Sequence, residues 1–121
     1  MNLWILEDEP RAARRLKRLV EEAAPEAKVV AVFDSIAAAR STFAMQEFPD
    51  AILSDIELAD GLSFDLYAEF PPQCPVVFTT AYDKYALNAF RANGVDYLLK
   101  PVELEGLAAA LQKVGRMQGP A

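Results

Sequence analysis

The chain has 121 residues, 53% of them hydrophobic and 25% charged, with a formal net charge of −6. That is the size of one globular domain with no room for a second, and its acidity argues against nucleic-acid binding, which draws its affinity mainly from Lys and Arg. Histidine is absent and cysteine occurs once, at Cys74, which excludes a Ser/His/Asp triad, a histidine-ligated metal, a phosphohistidine carrier and an internal disulfide; any metal must be hard and oxygen-ligated.

Asn2 to Leu6 reads as a first strand, so near the start that no signal peptide fits before it. Trp4 within it reads as core packing rather than a ligand platform. The strand runs into Glu7-Asp8-Glu9, and Pro10 then suits the first turn of a helix. Ala12, Leu16, Leu19, Val20 and Ala23 form the apolar stripe of that helix, with Arg11, Arg14, Arg15, Lys17 and Arg18 mostly off it. This basic row reads as a solvated face, or else as a docking surface for an acidic partner. Pro25 ends the helix. Lys28 to Val32 is a second short strand. Ser35 is suited to cap a helix carrying Ile36, Ala39 and Phe43, which stops before Pro49.

Ala51 to Asp55 is a short apolar run ending in a carboxylate, the pattern of a buried strand in a parallel sheet. A loop with Glu57, Ala59, Asp60 and Gly61 follows. Leu62 to Phe70 reads as helix, ended by Pro71-Pro72, and Pro75 to Thr79 as the fourth strand. Lys84 to Ala92 is a helix that Asn93-Gly94 terminates, with Tyr85 and Phe90 divided between core and partner surface. Asp96 to Leu99 is the fifth strand. Leu104, Leu107, Ala108, Leu111 and Val114 stripe the last helix. The pattern fades beyond it, giving one domain over residues 1–116 and a linker or tail over 117–121. No apolar run approaches the ~20 residues of a membrane span, and the lone Cys74 reads as packing rather than redox chemistry. A cytoplasmic protein without membrane contact is expected.

Five strand-helix units in succession imply crossover connections and a parallel sheet. Short buried strands with helices on both faces give an α/β fold: a flavodoxin-like, doubly wound five-stranded parallel sheet of strand order 2-1-3-4-5. Its switch point lies between the first and third strands. That topology brings Glu7 and Asp8 beside Asp55. Two like charges 4 Å apart cost roughly 4 kcal/mol at an effective dielectric of 20, so such a cluster retains protons or holds a cation. Mg²⁺ suits it, being hard and content with one or two carboxylates plus phosphate oxygens. Thr80 and Lys100, at the ends of the neighbouring strands, supply a hydroxyl and an ammonium for phosphoryl oxygens. A carboxylate attacking phosphorus gives an aspartyl-phosphate. Each residue alone has a plainer reading, as a helix cap, a β-former or a surface charge; together they form a phosphoryl-transfer site.

Glu7-Asp8, Asp55, Thr80-Ala81 and Lys100-Pro101 carry a resemblance that covers essentially the whole chain. Asp55 follows Glu7 by 48 residues, Thr80 follows Asp55 by 25, and Lys100 follows Thr80 by 20. The chain resembles the receiver domains of two-component response regulators. The resemblance implies Asp55 as phosphoacceptor, Asp8 as direct Mg²⁺ ligand, Glu7 as the acid behind a metal-bound water, and the Glu57 backbone carbonyl as a further ligand. It implies Thr80 and Tyr97 as switch residues and a cis Lys100–Pro101 bond that aims the lysine into the site. It also implies a sensor histidine kinase as partner and a homodimer promoted by phosphorylation. Many receivers carry a proline four residues after the phosphoacceptor, where this chain has Ala59. Phe78-Thr79-Thr80-Ala81-Tyr82-Asp83 with Tyr85-Ala86 and Asp96-Tyr97-Leu98-Leu99-Lys100-Pro101 is similar to receivers that precede LytTR-type DNA-binding domains. The expected function is a phosphorylation-dependent signalling switch, not an enzyme. Its transcriptional output would pass through an effector outside this chain, and no direct contact with nucleic acid is expected.

Three other readings compete. A haloacid-dehalogenase-type phosphatase would place its nucleophile on the first strand with an aspartate two residues on, where this chain has Glu57 after Asp55. A flavodoxin needs a phosphate loop where Glu7-Asp8-Glu9 stands. A pseudo-receiver that binds partners without phosphorylation has no use for the complete set of acids, hydroxyl and lysine.

Overall fold

The computed structural model describes residues 1–91 and 94–118. Ala92 and Asn93 at the expected helix end, the side chains of Phe90 and Arg91, and the last three residues of the expected tail lie outside the described residues. The strands β1 (Asn2–Leu6), β2 (Lys28–Phe33), β3 (Ala51–Asp55), β4 (Val76–Thr80) and β5 (Gly94–Leu99) form one sheet in the order β2-β1-β3-β4-β5. Every neighbouring pair is parallel. The connecting helices are α1 (Pro10–Ala23), α2 (Ile36–Ala44), α3 (Ser63–Glu69), α4 (Ala86–Arg91) and α5 (Leu104–Gln118). This is the doubly wound, flavodoxin-like arrangement expected from the alternation of short apolar runs and amphipathic stripes.

Strand side chains alternate between the two faces of a sheet, and here each face has its own core. Leu3, Ile5, Leu53 and Val77 pack with Leu16, Leu19 and Val20 of α1 and with Leu107, Ala110, Leu111 and Val114 of α5. On the opposite face Trp4, Leu6, Ile52, Val76 and Phe78 pack with Ile36, Ala39 and Phe43 of α2 and Leu66 and Tyr67 of α3. Trp4 lies in this second core, its ring centroid 5.5 Å from Phe33 and 5.6 Å from Phe43. All five residues of β3 are buried, Ser54 and Asp55 included, which accounts for the consecutive apolar residues Ala51, Ile52 and Leu53 in place of an alternation.

Several boundaries differ from those expected. The expected helix at Lys84 begins with a 3₁₀ turn over Asp83–Tyr85 and becomes α-helical at Ala86. Gly94 belongs to β5 and not to a helix stop alone. A Cβ there would stand 2.5 Å from the Ala89 carbonyl oxygen and 2.9 Å from the Phe78 ring, so the strand approaches α4 closely only because this residue has no side chain. α5 continues through Gly115 to Gln118, into the stretch assigned to the tail. An Ala59-Asp60 turn closes a short antiparallel hairpin, Glu57–Leu58 against Gly61–Leu62, with Gly61 at φ +140°. Among the described residues no helix is long and apolar enough to cross a membrane.

Candidate functional site

The register of the strands brings the site together. Leu6 pairs with Ser54, Asp55 with Thr79, and Thr80 with Leu99. The residues that follow these pairs, Glu7 after β1 and Lys100 after β5, therefore emerge at the same carboxyl edge as Asp55. Backbone hydrogen bonds hold the edge: Glu7 N–H donates to the Phe33 carbonyl at 3.0 Å, Ile56 N–H to Thr79 at 3.1 Å, and Lys100 N–H to Thr80 at 2.7 Å. The Lys100–Pro101 bond is cis.

Lys100 bridges two carboxylates from different strands. Its Nζ lies 2.7 Å from Glu7 Oε1 and 2.9 Å from Asp55 Oδ2. The second Asp55 oxygen, Oδ1, accepts from Ile56 N–H at 2.8 Å, and Glu7 Oε2 accepts from Glu9 N–H at 3.1 Å. Glu7 and Asp55 are 3% and 6% exposed; Asp8 is half-buried. One carboxylate oxygen from each of Glu7, Asp8 and Asp55 lies within 4.8 Å of the others. Burial pushes the Glu7 carboxyl above its ordinary range, against the Lys100 and Glu9 hydrogen bonds that favour its ionised form. Burial also opposes the charge on Lys100, but the Asp55 and Glu7 carboxylates outweigh it and raise the ammonium pKa. The site thus pairs a permanent cation with more negative charge than that cation can neutralise.

The remaining candidates surround this core. Thr80 is buried, and its Oγ1 accepts from Tyr82 N–H at 3.1 Å. Tyr97 donates its hydroxyl to the Tyr82 carbonyl. Glu57 sits two residues past Asp55, and its carboxylate accepts from the Tyr85 hydroxyl; that bond is the main reason the Tyr85 phenol is pushed up to about 12. Asp60, counted with the acidic loop in the sequence, lies elsewhere: its two oxygens accept from Ile36 and Ala37 N–H at 3.0 and 3.1 Å. It caps α2 beside Ser35, whose Oγ accepts from Ala38 N–H at 2.9 Å. Sequence reasoning missed Tyr82 as the shared partner of Thr80 and Tyr97, because backbone groups leave no compositional trace. It also missed the tie from Tyr85 to Glu57, for which two side chains 28 residues apart give no local signal.

A doubly wound sheet whose carboxyl edge gathers three acids and a lysine defines a class. The chain belongs to the response regulator receiver domain family, whose family model matches residues 3–112. It is similar to the sensory transduction protein LytT of Enterococcus faecalis, at 40% identity over 124 residues, covering 100% of this chain and 50% of that protein. It is also similar to the positive alginate biosynthesis regulatory protein of Pseudomonas aeruginosa, at 40% identity over 131 residues, covering 96% of this chain and 48% of that protein. The chain spans about half the length of the curated relatives it matches. Among solved structures it resembles the response regulatory domain of protein mrkE from Klebsiella pneumoniae, with TM-score 0.83, 28% identity and 97% of each chain covered. A two-component response regulator from Clostridium difficile matches with TM-score 0.83, 26% identity and 99% of each chain covered. The chain is therefore a receiver domain of two-component signalling, similar to LytT- and LytR-type regulators.

Proposed function

We propose that Asp55 accepts a phosphoryl group from the phosphohistidine of a sensor kinase and that the adduct switches the domain between two surfaces. The observation that supports this most is the convergence of Lys100 on Asp55 and Glu7, with Asp8 completing the acidic cluster. In the transfer, a lone pair of the Asp55 carboxylate forms the O–P bond. The P–N bond to the kinase imidazole breaks, and its electron pair stays on the ring nitrogen. Phosphoryl transfer depends chiefly on alignment and on neutralising the oxygens of the moving group. The Lys100 ammonium, already hydrogen-bonded to Asp55, would follow the new charge onto a phosphoryl oxygen. The Thr80 hydroxyl accepts from Tyr82 N–H, which leaves its own proton to donate to another.

The carboxylates fit a divalent cation: three oxygen donors of the hard type lie within 4.8 Å of one another and carry more charge than Lys100 balances. Asp8 and Asp55, with the Glu57 carbonyl, would hold Mg²⁺ directly, and Glu7 would act through water. When bound, Mg²⁺ supplies charge neutralisation to the phosphoryl oxygens. The domain changes only itself, so it acts as a switch and not as a turnover catalyst.

For the output we propose self-association through α4, β5 and α5. Thr80 and Tyr97 both contact Tyr82, so a Thr80 hydroxyl drawn toward a phosphoryl oxygen would disturb the peptide to which Tyr97 is tied. Tyr82, Leu99 and Leu104 on that side are 51%, 50% and 38% exposed. An effector of the LytTR DNA-binding type, outside these residues, would turn association into transcriptional control. The test is Asp55→Asn, with phosphoramidate as a small phosphohistidine mimic. Intact-mass spectrometry should find one phosphoryl group on the native chain and none on the variant. An adduct that persists in the variant would move the acceptor elsewhere, Asp8 first.

A further inference from the structure

Between α1 and the loop joining β5 to α5 lies a cleft of about 370 Å³. Its walls are apolar, with Ala12, Leu16 and Leu19 on α1 and Pro101 and Val102 on the loop. Glu7, Thr79 and Lys100 complete the lining, the Glu7 carboxylate being paired with Lys100. Arg15 borders the cleft, and its Nη2 donates to the Val102 carbonyl at 2.8 Å. That bond uses one of the five N–H groups of a guanidinium.

Two features of this cleft point to a ligand. Its volume falls in the range of small-molecule sites, roughly 300–1,000 Å³, and like them it combines apolar walls with a few polar groups. Its helical wall is also opposite in charge to the chain as a whole. α1 carries Arg11, Arg14, Arg15, Lys17 and Arg18 against Glu21 and Glu22, a net of +3 in a chain of −6. Arg15 borders both this cleft and the neighbouring groove lined by Arg11, Arg14, Lys17, Arg18 and Glu21, so the apolar space adjoins a mainly cationic surface through Arg15. An anionic group there meets a guanidinium fork suited to carboxylate, sulfonate or phosphate.

We propose that this cleft binds a small amphiphilic anion: an apolar body about the size of naphthalene lodged against Leu16, Leu19 and Val102, with its acidic group on Arg15. The inference is independent of phosphorylation at Asp55, although a bound ligand would adjoin Lys100 and so reach that site.

The test is a fluorescence titration of the whole chain with anilinonaphthalene sulfonate, run beside its uncharged analogue phenylnaphthylamine. The sulfonate should give a saturable enhancement with one site per chain and shift the methyl resonances of Leu16, Leu19 and Val102. Arg15→Gln and removal of the sulfonate should each weaken binding about tenfold, the scale of one charge-assisted contact. Ala12→Phe should abolish binding by filling the space. Met45→Gln, in the apolar groove at the far end of the sheet, should change nothing. A linear, unsaturable signal, methyl shifts confined to other residues, or binding undiminished in Arg15→Gln would each overturn the proposal. The Arg15 comparison decides even if Ala12→Phe does not fold, since Arg15 is exposed.

Discussion

Lys100 governs the charge balance of the site, and replacing it exposes what it holds in check. Removing one partner of a buried ion pair leaves an uncompensated charge. Lys100→Met would leave Glu7 and Asp55 facing each other without a cation, in an environment where both are nearly fully buried. Because the lysine side chain is itself 28% exposed, the expected loss is below the full buried-pair penalty, about 2 kcal/mol at neutral pH by urea denaturation. Glu7 makes a prediction of its own. Burial raises its pKa from the ordinary 4.5, so the folded state binds that proton more tightly than the unfolded chain does. The linked stability is present below pH 4.5 and is lost as pH rises through the higher folded value. Glu7→Gln, which keeps an acceptor for Lys100 without the charge, should therefore be at least as stable as the native chain at pH 7. It should also lack the native chain's decline from pH 4.5 upward. A variant with the same decline would assign it to other carboxylates.

At the scale of elements, α2 depends on a residue that belongs to another part of the chain. Ser35 caps it locally, but Asp60 reaches in from the hairpin after β3 to accept from Ile36 and Ala37 N–H. Those two hydrogen bonds hold the Asp60 carboxyl below its ordinary range. Stability from this group is present above the unfolded pKa near 3.9 and is lost as pH falls through the lower folded value. Asp60→Ala should lower the melting temperature at pH 7, with the difference from the native chain shrinking below about pH 3.9. Ser35→Ala should cost about 1 kcal/mol. A melting difference for Asp60→Ala that persists into acid would mean packing, not capping, is lost.

The helix cap also marks how far the sequence could be read. Ser35 was legible because its acceptor role is served three residues on. Asp60 was not, because its partners lie 24 and 23 residues earlier, and its composition grouped it with the acids of the site. The alternation of apolar runs and stripes indicated a parallel sheet between two helical layers; its order was the flavodoxin-like choice among doubly wound sheets, and the structure has that order. Boundaries such as Gly94 depended on how closely β5 approaches Ala89 and Phe78, a tertiary fact with no local signature. The meeting of Glu7, Asp55 and Lys100 followed from topology alone, whereas Tyr85 meets Glu57 through side chains that topology does not fix.

For the whole molecule, a switch requires two states and a ligand that distinguishes them. Moving an equilibrium from 1:99 to 99:1 takes about 5.5 kcal/mol of differential affinity. Charge-assisted hydrogen bonds contribute roughly 1.5–3 kcal/mol each, so a phosphoryl group held by Lys100, Thr80 and Mg²⁺ is of sufficient scale. Beryllofluoride, a mimic of the aspartyl-phosphate, should raise the sedimenting mass toward a dimer, with the effect reduced in Thr80→Ala and Tyr97→Ala. Mimic binding with no change in mass would place the output on another surface.

The proposed switch turns on one chemical event, phosphorylation of Asp55 with Mg²⁺ as its cofactor. The most direct measurement is to incubate the chain with acetyl phosphate, with Mg²⁺ or with chelator, quench it in acid, and map the product by peptide mass spectrometry. A single phosphoryl group on the peptide containing Asp55, lost when the metal is chelated, is the expected product. A phosphoryl group on a different residue, or labelling undiminished by chelator, would contradict it.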